Sequence, residues 1–100
     1  MQLQIESPNI KPDDNLMDLV HRKFEKLGQK YYSIHNFDIV LRKEINAIQK
    51  CFFVEAKAQI SKMRLFASER AESFEAAIAK VINKLDHQLR RFKEEREEIW

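Results

Sequence analysis

Near the end of the chain, apolar side chains recur at the spacing of one face of a long helix, about 100° per residue from roughly Ser73 to Lys93. The members of this stripe are Phe74, Ile78, Val81, Ile82, Leu85, Leu89 and Phe92. A helix of about six turns buries such a stripe only against a second layer of structure. The rest of the chain must therefore provide that layer, and 100 residues suffice for one modest core.

The outer side of the same helix is cationic. Its basic residues are Lys80, Lys84, His87, Arg90 and Arg91, and Asp86 is the only acid between Lys80 and Lys93. A second basic group, Arg22, Lys23, Lys26 and Lys30, falls in an earlier helix. If both helices lie on one side of a sheet, the two groups converge on one surface. Such a surface suits a phosphate backbone, but a lysine-rich solvated helix gives the same pattern, and spacing alone leaves both interpretations open.

Alternation of polar and apolar residues predicts four strands, at Gln2–Ser7, Phe37–Arg42, Cys51–Ile60 and Met63–Ala67. The polar segment 43–50 predicts a loose turn, and Ser61-Lys62 predicts a tight hairpin. The first helix is capped by Asp13 or Asp14 and ends near Lys30, where Gly28, the only glycine, marks its end.

The predicted order is β-α-β-β-β-α. Alternating strands have one wet face, so both helices are expected on the same side of the sheet. The fold class is therefore α+β, an α/β two-layer sandwich with a four-stranded mixed sheet and a right-handed β-α-β crossover. Residues 1–93 are expected to form a single domain, and residues 94–100 an acidic, flexible tail.

Residues that carry chemistry are sparse. His21, His35 and His87 lie on separate elements without zinc-like spacing, Cys51 is the only cysteine, and one glycine cannot build a phosphate loop. We expect no metal, no cofactor, no small-molecule substrate and no enzymatic activity, with a metal-free hydrolase as the most distant alternative. No apolar run approaches the roughly 18 residues of a membrane span, and the start lacks signal-peptide blocks, so a cytoplasmic protein is expected.

Phe53 and Phe66 are predicted on the wet face of the sheet, away from the helices. Exposed aromatic residues on a sheet can stack nucleic-acid bases. They can also shield one another or anchor a protein partner. We favour the second interpretation, in which the two rings shield one another or cover a protein contact.

Several segments resemble the short ribosome hibernation-promoting factors, relatives of protein Y and of ribosomal subunit interface proteins. They are MQLQI at the start, Lys23-Phe24-x-Lys26-Leu27, Ser73–Ile78 with the sequence SFEAAI, and Asn83-Lys84-Leu85-x-x-Gln88-Leu89. No single motif is diagnostic, but their order and spacing over about residues 1–93 are specific together. The resemblance implies the same β-α-β-β-β-α fold, with a double-stranded-RNA-binding-like arrangement of its later elements.

The resemblance also implies a function and a partner. Such proteins bind the small ribosomal subunit in the channel for messenger RNA and for A- and P-site transfer RNA, and they inhibit translation by idle bacterial ribosomes under stress and in stationary phase. Matching rRNA-binding positions are Arg22, Lys23, Lys26, Lys30, Lys80, Lys84, His87, Arg90 and Arg91. A monomer off the ribosome is expected. The acidic segment 94–98 departs from the family, whose chain often continues basic there. The alternative function is a protein-interaction module on the open sheet face, including modulation of a sigma factor.

Overall fold

The structure of the chain, a computed structural model, describes residues 1–45 and 50–95. Its elements are β1 (Gln2–Glu6), α1 (Asp14–Lys30), β2 (Ile34–Ile45), β3 (Lys50–Ile60), β4 (Met63–Ala71) and α2 (Phe74–Glu95). The predicted order of elements and the α+β fold class are therefore confirmed.

The four strands form one mixed sheet in the order β1-β2-β3-β4. β1 pairs with β2 in parallel, and β2–β3 and β3–β4 are antiparallel hairpins. Both helices contribute to one core with the inward side chains of the sheet, for example Phe24 from α1, Leu85 from α2 and Phe37 from β2. The helices thus cover one face of the sheet and leave the other face open to solvent.

The two helices run side by side in the same direction. Lys30, at the end of α1, contacts Asp86 in the second half of α2. One cleft between the helices is lined by the first turns of both, including Leu16 and Phe74. Acids cluster at this end, with Asp13, Asp14 and Asp18 at the start of α1 and Glu72 and Glu75 at the start of α2.

Side-chain caps fix where both helices begin. The Leu16 N–H donates to Asp13 Oδ1 at 2.8 Å, which confirms a cap at one of the two predicted aspartates. The Ala76 N–H donates to Ser73 Oγ at 3.1 Å and begins α2 in the same way. α1 ends at Lys30 as predicted, but Gly28 lies inside the helix. A Cβ at Gly28 would overlap the sulfur of Met1, which belongs to a flexible, exposed side chain that can move aside.

The prediction of a loose turn at 43–50 is wrong at both of its ends, where the structure has strand. β2 continues through Lys43, Glu44 and Ile45, and β3 begins at Lys50, because Lys43–Ile45 pairs in register with Lys50–Phe52. Residues 46–49 lie outside the described part of the chain. β4 likewise extends four residues past its predicted end, to Ala71. Strand pairing across the sheet provides hydrogen bonds that a polar local sequence does not reveal.

α2 continues two residues beyond its predicted end, so Glu94 and Glu95 are helical. Residues 96–100 of the predicted tail lie outside the described part of the chain. The division of the chain into a domain at 1–93 and a flexible tail therefore remains a prediction.

The hairpin predicted at Ser61-Lys62 is confirmed, because Ile60 pairs with Met63 across it. Ser61 has a φ of 51°, in the left-handed region that favours glycine. Ser61→Gly is expected to stabilise the fold by about 0.5–1 kcal/mol, since it removes a steric cost at the turn. Equilibrium urea unfolding would measure this as a higher midpoint. Lys62→Gly is the matched control, and a midpoint raised equally by both changes would contradict the explanation.

Candidate nucleic-acid interface

Asp86 of α2 contacts the end of α1 and the residue that follows it, Tyr31. Its carboxylate accepts hydrogen bonds from Lys30 Nζ at 3.0 Å, from the Tyr31 hydroxyl at 2.8 Å and from Arg90 Nη2 at 3.2 Å. Tyr31 is only 2% exposed, so this contact lies at the edge of the core. Two of the predicted site residues, Lys30 and Arg90, are therefore held in place by one acid from α2.

Burial raises the pKa of Asp86, but hydrogen bonds from Lys30 and Tyr31, together with the charges of Lys30 and Arg90, outweigh it and leave this pKa below its ordinary value of 3.8. The hydrogen bond to Asp86 raises the pKa of Lys30. Burial is the main reason that the pKa of Tyr31 is raised, and its bond to Asp86 adds to the effect. Asp86 is thus ionised, and Lys30 protonated, at neutral pH.

Because the pKa of Asp86 is lowered in the folded state, its stabilising contribution is present above the unfolded value near 3.8 and is lost as the pH falls through the folded value. We expect Asp86→Asn to lower the melting temperature at pH 7 and to differ much less from wild type near pH 2. Asp18→Asn, an exposed control without an ion pair in the described ranges, should melt like wild type at both pH values. A melting difference for Asp86→Asn that is equal at both pH values would contradict the ion-pair account.

The opposite flank of α2 faces the edge strand β4. Lys84 forms an ion pair with Glu69 of β4, and Gln88 Nε2 donates to the Phe66 carbonyl oxygen at 2.9 Å. The hydrogen bond from Lys84 is the main reason that the pKa of Glu69 is lowered. Lys84 is therefore directed to the sheet edge and away from α1.

The other six predicted site residues are Arg22, Lys23, Lys26, Lys80, His87 and Arg91. Arg22, Lys23 and Lys26 are exposed on α1, and Lys80, His87 and Arg91 are exposed on α2. Within residues 1–45 and 50–95, none of the six takes part in an ion pair. The charge of Lys80 helps to lower the pKa of Glu69, without an ion pair between the two. All six side chains are therefore available to an external anion. The nine predicted residues thus divide into six available side chains, Lys30 and Arg90 at Asp86, and Lys84 at Glu69. Their single converging RNA-binding patch stays a prediction.

The open sheet face carries a cluster that sequence reasoning missed. Phe53 lies between the guanidinium groups of Arg42 and Arg70, whose central carbons are 4.5 Å and 4.9 Å from the ring centroid. Glu44 bonds both arginines, at 2.9 Å to Arg70 Nε and 3.4 Å to Arg42 Nη2. Phe53 is only 7% exposed as a result. The two aromatic residues predicted on this face therefore differ, because Phe66 is 48% exposed.

The cluster arises from strand register, since Arg42 pairs with Phe53 and Phe53 pairs with Arg70. Same-face alternation in each strand was visible in the sequence, but the register between strands was not. Arg–aromatic stacking of this kind is worth about 0.5–2 kcal/mol and shields the ring from water. Phe53 is thus an internal part of the sheet surface.

Other kinds of site find little support in the described part of the chain. No group of three or more His, Cys, Asp or Glu side chains among these residues could hold a metal ion. Of the described helices, neither is both long and apolar enough to span a membrane.

Comparison with known proteins supports an assignment. A sequence model of the family described as "Sigma 54 modulation protein / S30EA ribosomal protein" matches residues 3–97. The fold is similar to that of a ribosomal subunit interface protein from Coxiella burnetii, with a TM-score of 0.81 over 93% of this chain and 98% of that chain at 19% identity. It is also similar to the N-terminal domain of Protein Y from Thermus thermophilus, with a TM-score of 0.70 over 91% of this chain and 94% of that chain at 22% identity. No curated protein matches the chain.

Proposed function

Because the chain belongs to the sigma 54 modulation protein / S30EA ribosomal protein family, we propose that it binds the small ribosomal subunit in the channel for messenger RNA and for A- and P-site transfer RNA. Members of the family are ribosome-associated factors without enzymatic activity, so the chain is a ribosome-associated protein and not an enzyme. Its binding promotes hibernation of idle ribosomes in the bacterial cytoplasm, under stress and in stationary phase.

One observation carries the proposal, namely the six basic side chains of α1 and α2 that form no ion pair in the described ranges. Contacts of lysine and arginine with phosphate oxygens position a protein on RNA without reading its sequence. The helices that present these side chains are anchored through fully buried residues such as Val20, Phe24 and Leu85. The basic side chains are thus held on a rigid layer, as recognition of a folded RNA by its shape requires.

Inhibition follows from occupancy alone. A folded protein held on ribosomal RNA in the decoding channel excludes messenger and transfer RNA from the same volume. Such inhibition is reversible, and it needs one protein molecule for each ribosome. Off the ribosome the protein is proposed to be a monomer.

Co-sedimentation with isolated small subunits, at low and high salt, tests the proposal. We expect one protein bound per subunit at about 0.05 M salt and a fall of affinity of about 10³-fold or more at 0.2 M, as for six or more phosphate contacts. Addition of initiator transfer RNA and messenger before the protein should reduce binding. Salt-insensitive binding, or binding unaffected by both RNAs, would contradict a site in the decoding channel.

A protein-interaction module on the open sheet face, including modulation of a sigma factor, is the second candidate. The exposed ring of Phe66 favours it. Its other suggested anchor, Phe53, is covered by Arg42 and Arg70 and offers no ring face to a partner. The open face thus has one exposed aromatic anchor among the described residues, where interface hot spots usually form clusters.

A further inference from the structure

The edge strand β4 carries a row of alternate residues on the open face of the sheet, at Arg64, Phe66, Ser68 and Arg70, which we call the β4 strip. These residues pair with Gln59, Lys57, Glu55 and Phe53 of β3, and they alternate with the core residues of β4, including Ala67. Same-face positions of a strand are about 6.6 Å apart, so the β4 strip spans about 20 Å.

Both arginines of the β4 strip are held in fixed orientations. Arg64 Nε donates to Gln59 Oε1 at 2.7 Å, and the Gln59 amide donates in turn to the carbonyl oxygens of Ser61 and Met63. Arg70 donates to both carboxylate oxygens of Glu44, at 2.9 Å and 3.2 Å, and it stacks on Phe53. Groups that are ordered before binding lose little side-chain entropy when a ligand arrives.

Charge remains on the β4 strip despite these contacts. Arg64 is oriented by a neutral amide and takes part in no ion pair within the described ranges. Glu44 is shared by Arg42 and Arg70, which leaves that cluster with one net positive charge. Glu55 lies opposite Ser68, and it lines one concavity of the open face together with Glu6 and Asp38, so acids face the middle of the row. An extended anion therefore fits with its charged groups at the two ends, next to the arginines.

Phe66 lies between the two arginines and presents a ring that is 48% exposed. Its cross-strand partner is Lys57, which pairs on its other side with Asp38 of β2. Exposed aromatic rings flanked by basic residues on a sheet bind unpaired nucleotides, because each base has a π-face that can stack and each phosphate carries a charge. Protein hot spots usually form clusters, and Phe66 is the one exposed aromatic side chain of this face among the described residues.

We propose that the β4 strip binds an unpaired segment of about three nucleotides of ribosomal RNA, with one base stacked on Phe66 and phosphates next to Arg64 and Arg70. The proposal deepens the proposed function and rests on it for the source of the RNA. It adds a second contact surface, on the opposite side of the sheet from α1 and α2. The helices contact folded RNA by charge and shape, and the β4 strip contacts a single strand.

Fluorescence anisotropy of the full chain with fluorescein-labelled hexaadenylate tests the chemistry. We expect Phe66→Leu to weaken binding about tenfold or more, because stacking is lost while an apolar side chain remains. Phe66→Tyr keeps the ring and should bind like wild type. Tyr32→Leu is the matched control, because Tyr32 is 70% exposed but lies outside the β4 strip, and its loss should change nothing. Arg64→Gln should weaken binding and reduce the salt dependence.

Binding to small ribosomal subunits that carry no messenger RNA tests whether the RNA bound by the β4 strip is ribosomal. Phe66→Leu should lower the affinity of the protein for these subunits severalfold. Charge reversal on the helices, by Lys26→Glu combined with Arg91→Glu, should abolish subunit binding and leave hexaadenylate binding intact. Failure of the proposed function and failure of the β4 strip are thereby distinguished. The β4 strip proposal is overturned if wild type does not bind hexaadenylate or if Phe66→Leu and Tyr32→Leu act alike. Subunit binding weakened by Phe66→Leu without any change toward the oligonucleotide would also overturn it, since a ribosomal protein would then be the contact.

Discussion

Lys26→Glu combined with Arg91→Glu is expected to abolish small-subunit binding while the protein stays folded. Both side chains are exposed, one on each helix, and neither forms an ion pair in the described ranges. The double reversal removes two phosphate contacts and adds repulsion at both places. We expect affinity to fall more than about 100-fold at roughly 0.15 M salt, and the slope of log affinity against log salt to decrease by about two.

The matched control for this pair is Lys11→Glu combined with Lys62→Glu. It makes the same change in net charge at two exposed lysines outside the helices. We expect its affinity for small subunits to fall only slightly. Equal losses for the two double variants would mean that net charge, and not the helical surface, determines binding. Circular dichroism and thermal melting would verify the fold of both.

Phe24→Ala is expected to destabilise the fold by about 3–5 kcal/mol. Phe24 of α1 is fully buried and packs edge-to-face on Phe37 of β2, with ring centroids 5.2 Å apart. Its truncation leaves a cavity between the helix layer and the sheet. For a domain of this size the loss corresponds to a melting temperature lower by roughly 15–30 °C.

Tyr32→Ala is the control for this truncation, since it removes an aromatic side chain that is 70% exposed. Its stability should stay within about 0.5 kcal/mol of wild type. A Phe24→Ala protein that melts like the control would show that α1 does not pack on the sheet through this residue.

Helical periodicity predicted the inner faces of both helices correctly, because 3.6-residue spacing depends only on the local chain. Val20, Phe24 and Leu27 of α1 are buried, as are Ile78, Leu85 and other members of the stripe in α2. The inward-facing residues of the strands were also predicted correctly, because the two-residue alternation of a strand depends only on the local chain. Ala56 and Ala58, for example, lie in the core.

Pairings between distant residues could not be predicted from the sequence. Lys84 and Lys80 are four residues apart on one predicted ridge, but only Lys84 pairs with Glu69, on another element. Phe53 was predicted to be exposed on the open face, and it is covered because register places arginines on both sides of it. Partners of this kind depend on which strands become neighbours. These pairings decide which basic side chains of the candidate site form ion pairs within the protein and which are available to a ligand.

The parallel course of α1 and α2 places the positive ends of both helix dipoles at one end of the molecule, where Asp13, Asp14 and Glu75 offset them. A polyanion that approaches this end meets carboxylates, and one that approaches Lys26 and Arg91 meets basic side chains without an ion pair in the described ranges. Electrostatic attraction therefore favours encounters through the basic side chains, and the rate of capture falls as ionic strength rises.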